Sequence, residues 1–388
     1  KTIKMNHFFE KHKKGLINIL IILLFISLFL QSAYVAVDKS ITTDEYSHAT
    51  LGYYYVKNHA FNIDGAIANS VLSHYLISVF LLPLEFDLEV LEKSDNGIGY
   101  GMLYDSDYSA EFVIFLARLP VILLSLLLGF YVFRWSKNLY GIKAGLFSLF
   151  LYSFSPNIIA HSSLATTDLA TAFFIFISLY SFDKYIRNKT RLNLGFLAVS
   201  FSLAFITKFT SFFLFPIFFI MLMAQRGNFW KMIREVLSLF LILLLTTFLV
   251  LLVAYQFTFA PLIEGMPVVH REAAYDYILE HFDSEQQKAV LGFVEGVPIP
   301  APTFVYGLVD NFVHSVNGHA SFLFGMFSNK GWRYYYPLGF FVKTPVPTIL
   351  FFIAALYFMK KADKRVKDKF FILLSIVVFF CLFAFNKT

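Results

Sequence analysis

The chain has 388 residues, 58% of them hydrophobic and only 15% charged, well below the ~25% charge of an ordinary soluble domain. This excludes a typical soluble globular protein, so the net charge of +6 bears on membrane topology rather than on nucleic-acid binding. A lone cysteine, Cys381, excludes an intrachain disulfide and a cysteine metal cluster.

In chain order, residues 1–14 are basic, and 23 uncharged residues, Gly15 to Val37, follow. That is enough for one helix across a ~30 Å hydrocarbon layer. The connection 38–111 carries twelve Asp or Glu against three Lys. Further apolar segments lie near 112–133, 144–160, 169–182, 192–207, 209–224, 236–258, 338–359 and 370–385. The stretch 259–337 forms a second long loop, with eight acidic residues and four Lys or Arg. Basic connections (Arg134, Lys137 and Lys143; Lys184, Arg187, Lys189 and Arg191; Lys360 to Lys369) alternate with acidic or neutral ones. The pattern predicts an all-α polytopic transmembrane bundle, 1–388 as a single domain, with about nine spans and a cytoplasmic N-terminus. Both long loops then lie outside, with helices resting on the membrane in each; in the first, the mixed polar and apolar stretches around His48 and Tyr75 suggest this. Asn188-Lys189-Thr190 matches a glycosylation sequon but falls on the cytoplasmic side. The chain starts at Lys1 and stops within or just after an apolar segment, which suggests further helices beyond Thr388.

Charge in so apolar a chain invites a functional reading. Asp44, Glu45 and His48 form a DExxH cluster just past the first span, and a solvated acidic loop is the competing reading. The same topology brings His161, Asp168, Lys208 and His319 to the outer side. Arg118 and Lys343 lie about six residues inside their spans, ~9 Å deep at 1.5 Å per residue. Snorkelling explains such cations as well as function does. Asp168 equally suits a helix N-cap, and Lys208 a solvated turn. A carboxylate could serve as general base toward an acceptor hydroxyl, with cations holding a departing phosphate. The same oxygens and imidazoles could instead bind a divalent cation, and spacing alone leaves both open.

The stretch Asp44-Glu45-xx-His48 with Gly52-Tyr53-Tyr54-Tyr55 resembles the first-loop acidic signature of GT-C glycosyltransferases. It is most similar to bacterial relatives of dolichyl-phosphate-mannose protein mannosyltransferases (glycosyltransferase family 39) and to lipid A aminoarabinose transferases. Ala117-Arg118-Leu119-Pro120, Ser155-Pro156-Asn157 through Asp168, and Thr207-Lys208-Phe209-Thr210 resemble further motifs of that family. So does the block from Gly318-His319 through Gly331-Trp332 and Tyr336-Pro337 to Lys343-Thr344-Pro345. The resemblance covers residues 40 to 350 in the family's order. It implies inverting transfer of a sugar from a polyprenyl-phosphate donor to a protein, lipid or glycan acceptor outside the cytoplasm, in a bacterial inner membrane. Asp44, Glu45 and Asp168 would then be the catalytic carboxylates. Arg118, Lys208 and Lys343 match basic positions read as donor-phosphate contacts, and His48, His161 and His319 are supporting residues. The family's His-Pro-Pro-Leu stretch is replaced by Ser70-Val71-Leu72-Ser73-His74-Tyr75-Leu76. A flippase of lipid-linked sugars and a non-catalytic glycolipid-binding relative are the alternatives.

Overall fold

In a computed structural model, residues 2–62, 71–89, 98–224, 228–317, 320–329, 331–332, 334–361 and 366–385 are described. Each of the nine apolar segments is helical, so the all-α expectation holds, but not every segment is one unbroken span. Among the described residues, four helices are long and apolar enough to cross a membrane: α1 (Thr2–Asp38, its apolar part from Lys14), α5 (Ala110–Tyr140), α8 (Thr167–Arg187) and α11 (Phe229–Ala254). Two further segments are bent pairs. α6 (Ile142–Ser153) and α7 (Pro156–Ser162) meet at 62°, while α15 (Tyr335–Lys343) and α16 (Val346–Lys361) meet at 107°. Both breaks contain proline, Pro156 and Pro345, which lacks the amide and restricts the residue before it. The remaining three have short apolar stretches: α9 (Arg191–Thr207), a 3-10 turn (Phe209–Phe213) running into α10 (Leu214–Met223), and α17 (Val366–Phe385, apolar over Phe370–Cys381). With its apolar helices, this is an integral membrane protein, and outward-facing Leu16, Ile22, Leu237, Leu249 and Val253 present the lipid-type surface that such helices require.

In the first loop, α2 (Thr43–Lys57) is enclosed by protein: Ala49 through Tyr55 are all buried, packed by α3 (Val71–Ser78), α4 (Ile98–Tyr104) and α5. Its apolar residues are too many for one stripe, so the helix is buried on several sides. The closest approach is at Gly52, where an added Cβ would lie 2.0 Å from the His74 carbonyl oxygen. Because the obstacle is backbone, Gly52→Ala is expected to destabilise the fold by at least the ~1–3 kcal/mol of core overpacking. A lowered melting temperature in detergent checks this.

The long loop 259–337 builds a small layer of its own. Strands β1 (Phe259–Pro261) and β2 (Pro298–Pro300) pair antiparallel around α12 (Val268–His281) and α13 (Ser284–Gly296). Next come α14 (Pro302–Asn317) and a hairpin of β3 (Ser321–Leu323) and β4 (Met326–Ser328). The bundle core beneath is strongly aromatic, with Phe182 stacked on Phe218 at 4.1 Å between ring centroids and Trp135 edge-on to Phe176 and Tyr180. Offset and edge-on aromatic pairs contribute ~0.5–1.5 kcal/mol beyond area burial.

Candidate active site

Antiparallel helix pairs decide which ends of the chain meet. The turn 188–190 folds α9 back along α8, so Asp168 at the start of α8 and Lys208 just past α9 share one end of the bundle. Lys208 Nζ donates to Asp168 Oδ1 at 2.9 Å, and His161 Nδ1 lies 3.7 Å from Asp168 Oδ2. Asp168 occupies the first turn of α8, where a carboxylate complements the helix dipole, and Lys208 the last-turn side of α9, where a cation does. Of the two roles open to Asp168, its side chain takes the ionic one: its carboxylate engages Lys208 and His161, and Thr166 is the N-cap residue. All three side chains remain partly exposed, Asp168 at 52%, and so stay accessible to a ligand.

The end of α1 and the start of α5 meet at the same place, around the most deeply buried charges of the site. Arg118 and Glu45 are 1% and 0% exposed and form a two-pronged pair. Nε donates to Oε1 and Nη2 to Oε2, both at 2.7 Å. The other donors go to the carbonyls of Ala36 (2.6 Å), Lys39 (2.9 Å) and Ser40 (3.0 Å). Guanidinium has five N–H groups, and all five are used. This leaves none for a phosphate, so the depth of Arg118 reflects neither snorkelling nor the donor-phosphate contact expected of it. Glu45 also accepts from the Thr42 amide (2.9 Å) and hydroxyl (3.1 Å) and from the Ala165 amide at 2.8 Å. It therefore ties the start of α2 to α5 and to the chain just before α8. Both Glu45 oxygens are saturated, so the direct catalytic part expected of it gives way to an anchoring one.

That anchor presents the adjacent residue. Asp44 is exposed, and among the described residues no hydrogen bond or ion pair engages its carboxylate. One turn on, the His48 ring feels the charges of Asp44, Lys208, Asp168 and Glu45. Thus Asp44, His48, His161, Asp168 and Lys208 form one cluster. Lys343 is exposed at the end of α15, and its carbonyl accepts from Asn157 Nδ2 at 3.3 Å, which docks that segment on α7, the helix bearing His161. His319 and Gly318 lie outside the described residues. Among the described residues, no group of three His, Cys, Asp or Glu side chains is placed to hold a metal ion.

His74 has no functional signature in the sequence. It is fully buried in α3, with its Nε2 3.0 Å from His48 Nδ1. The available signal was a single imidazole inside the apolar run Val71–Ser78.

Burial lowers the affinity of His48 for a proton, and burial followed by the neighbouring His48 lowers that of His74 further. Burial opposes the Glu45 charge, but Arg118 and the Ala165 and Thr42 amides outweigh it and hold the carboxyl below its ordinary value. In each case the unfolded chain binds the proton more tightly. The stability contribution is therefore complete above the unfolded values, 6.5 for the imidazoles and 4.5 for Glu45, and is lost as pH falls below them. A melting temperature that declines from about pH 7 to pH 5, ahead of carboxylate titration, checks the histidine part.

Residues 110–253 match the family described as dolichyl-phosphate-mannose-protein mannosyltransferase. The matched stretch contains Arg118, His161, Asp168 and Lys208, and supports a membrane glycosyltransferase of the GT-C type. No curated protein matches the chain.

Proposed function

We propose that this GT-C-type membrane glycosyltransferase moves a sugar from a polyprenyl-phosphate donor to an acceptor hydroxyl on the extracytoplasmic side, with inversion. The observation that carries this reading is the grouping of an unengaged carboxylate, Asp44, with the Lys208–Asp168–His161 cluster at one end of the bundle.

Transfer with inversion breaks the bond between the anomeric carbon and the donor phosphate oxygen while an acceptor oxygen forms a bond on the opposite face. The acceptor proton must go to a base, and the negative charge remains on the departing polyprenyl phosphate. Asp44, held out by the buried Glu45–Arg118 anchor, is the base. A carboxylate in hydrogen-bond reach of an acceptor hydroxyl contributes ~10²–10⁴-fold by general base catalysis. Lys208 meets the phosphate charge, and its partial exposure leaves ammonium hydrogens for a second anion besides Asp168. Lys343 on the docked segment is the second phosphate cation. Asp168 orients Lys208 and His161 and is the second acidic group of the site. A phosphate at the lipid surface would keep the polyprenyl chain in the bilayer and bring only the sugar into the cluster.

The test is incubation of the purified protein with a panel of polyprenyl-phosphate sugars and acceptor extracts, following free polyprenyl phosphate. Acceptor-dependent release is the expected result. Movement of intact donor across vesicles without release would instead select the flippase reading.

A further inference from the structure

His48 and His74 share a single hydrogen bond, and the ends of the pair differ in kind. His74 is completely buried, and among the described residues its Nδ1 has no hydrogen-bonding group in reach. The two ring planes lie 27° from parallel, with their centroids 5.1 Å apart. Each neutral imidazole carries one proton, so the 3.0 Å contact between His48 Nδ1 and His74 Nε2 allows two arrangements.

If His48 donates, the His74 proton must sit on Nδ1, where a buried N–H would have no acceptor. Orphaned buried N–H groups are rare in folded proteins because their hydrogen bond to water is lost without replacement. If His74 donates from Nε2, its Nδ1 is a bare nitrogen, and His48 carries its own proton on Nε2.

We propose that His74 is a positioning residue that fixes His48 as the neutral tautomer with its proton on Nε2. His48 is thereby a hydrogen-bond donor to an oxygen of the transferring group, and the base role is left to Asp44. The tautomer follows from the protein's own atoms, and only the donation to a reacting oxygen rests on the glycosyl-transfer reading. Protonating His48 on Nδ1 would set N–H against N–H, so His74 also keeps the pair neutral. The groups facing His48 are Asp44 and Glu45 on α2, His74 from α3, Asp168 from α8 and Lys208 beyond α9. Those facing His74 are His48 and the Tyr55 ring, 5.7 Å away.

Nitrogen NMR of full-length protein labelled with ¹⁵N in its histidine rings reads the tautomer directly, the His48 signals being identified by their absence in a His48→Asn variant. The expected result is a protonated Nε2 and bare Nδ1 on His48, with His74 protonated on Nε2. A His48 protonated on Nδ1, or an even mixture of tautomers, overturns the proposal. This readout stands even if no donor is ever turned over. Where turnover is observed, His74→Phe is expected to lower kcat about tenfold with KM little changed, the scale of losing a group that orients a histidine. Its acid limb should also move to higher pH. His74→Gln, whose amide nitrogen can stand where Nε2 stood, should restore both. Equal losses in the two variants would show that His74 only fills space, and the positioning role would fall.

Discussion

Asp44→Asn is expected to reduce sugar transfer by ~10²–10⁴-fold, the range that a positioned general base contributes, with no change in thermal stability. The two halves of this prediction have separate causes. The loss of rate follows because an amide cannot accept the acceptor's proton. The unchanged stability follows because Asp44 is exposed and makes no hydrogen bond or ion pair with a described residue. Release of polyprenyl phosphate under saturating donor, alongside a melting curve, measures both. Transfer that survives the substitution undiminished would remove Asp44 from the base role and move attention to Asp168.

Arg118→Ala should have the opposite profile, a fall in stability before any effect on chemistry. It leaves the fully buried Glu45 carboxylate without its counter-ion and strands three carbonyls, of Ala36, Lys39 and Ser40. Breaking one side of a buried ion pair costs about 3–5 kcal/mol, against a net stability of about 5–15 kcal/mol for a typical fold. The Glu45→Leu, Arg118→Met double variant is expected to be more stable than Arg118→Ala, since it removes both charges together. Such a result would show coupling between the partners. If Arg118→Ala melts as the native protein does, the pair is not the anchor that holds α2 and presents Asp44.

Much of this was legible in the residues. The nine apolar segments predicted the helices, and each is helical. The DExxH spacing pointed to Asp44, and the positions of Asp168 and Lys208 at helix ends pointed to a shared side. What the one-dimensional pattern could not carry was the partner of each charge. Arg118 and Lys343 looked alike, each a cation about six residues into an apolar segment. In the structure, Arg118 is sealed against Glu45 while Lys343 lies exposed on a proline-broken turn. Glu45 and Asp44 are adjacent in sequence yet point to different surroundings, because neighbouring helical residues project about 100° apart. Likewise, His74 is distinguished only by a ring that arrives from 26 positions away.

The sequence by itself therefore determined that this chain is a helical membrane protein, and it nominated the charged side chains from which a site could be built. Hydrophobic segment length and flanking charge are local properties that a membrane reads directly. Only the tertiary structure decided which charges serve the fold and which remain accessible for reaction. That division depends on desolvation and on saturated hydrogen bonds, both of which arise from contacts between segments far apart in the chain. The DExxH cluster is the clearest case: one carboxylate is locked in the core, and the other is left at the surface one turn from His48.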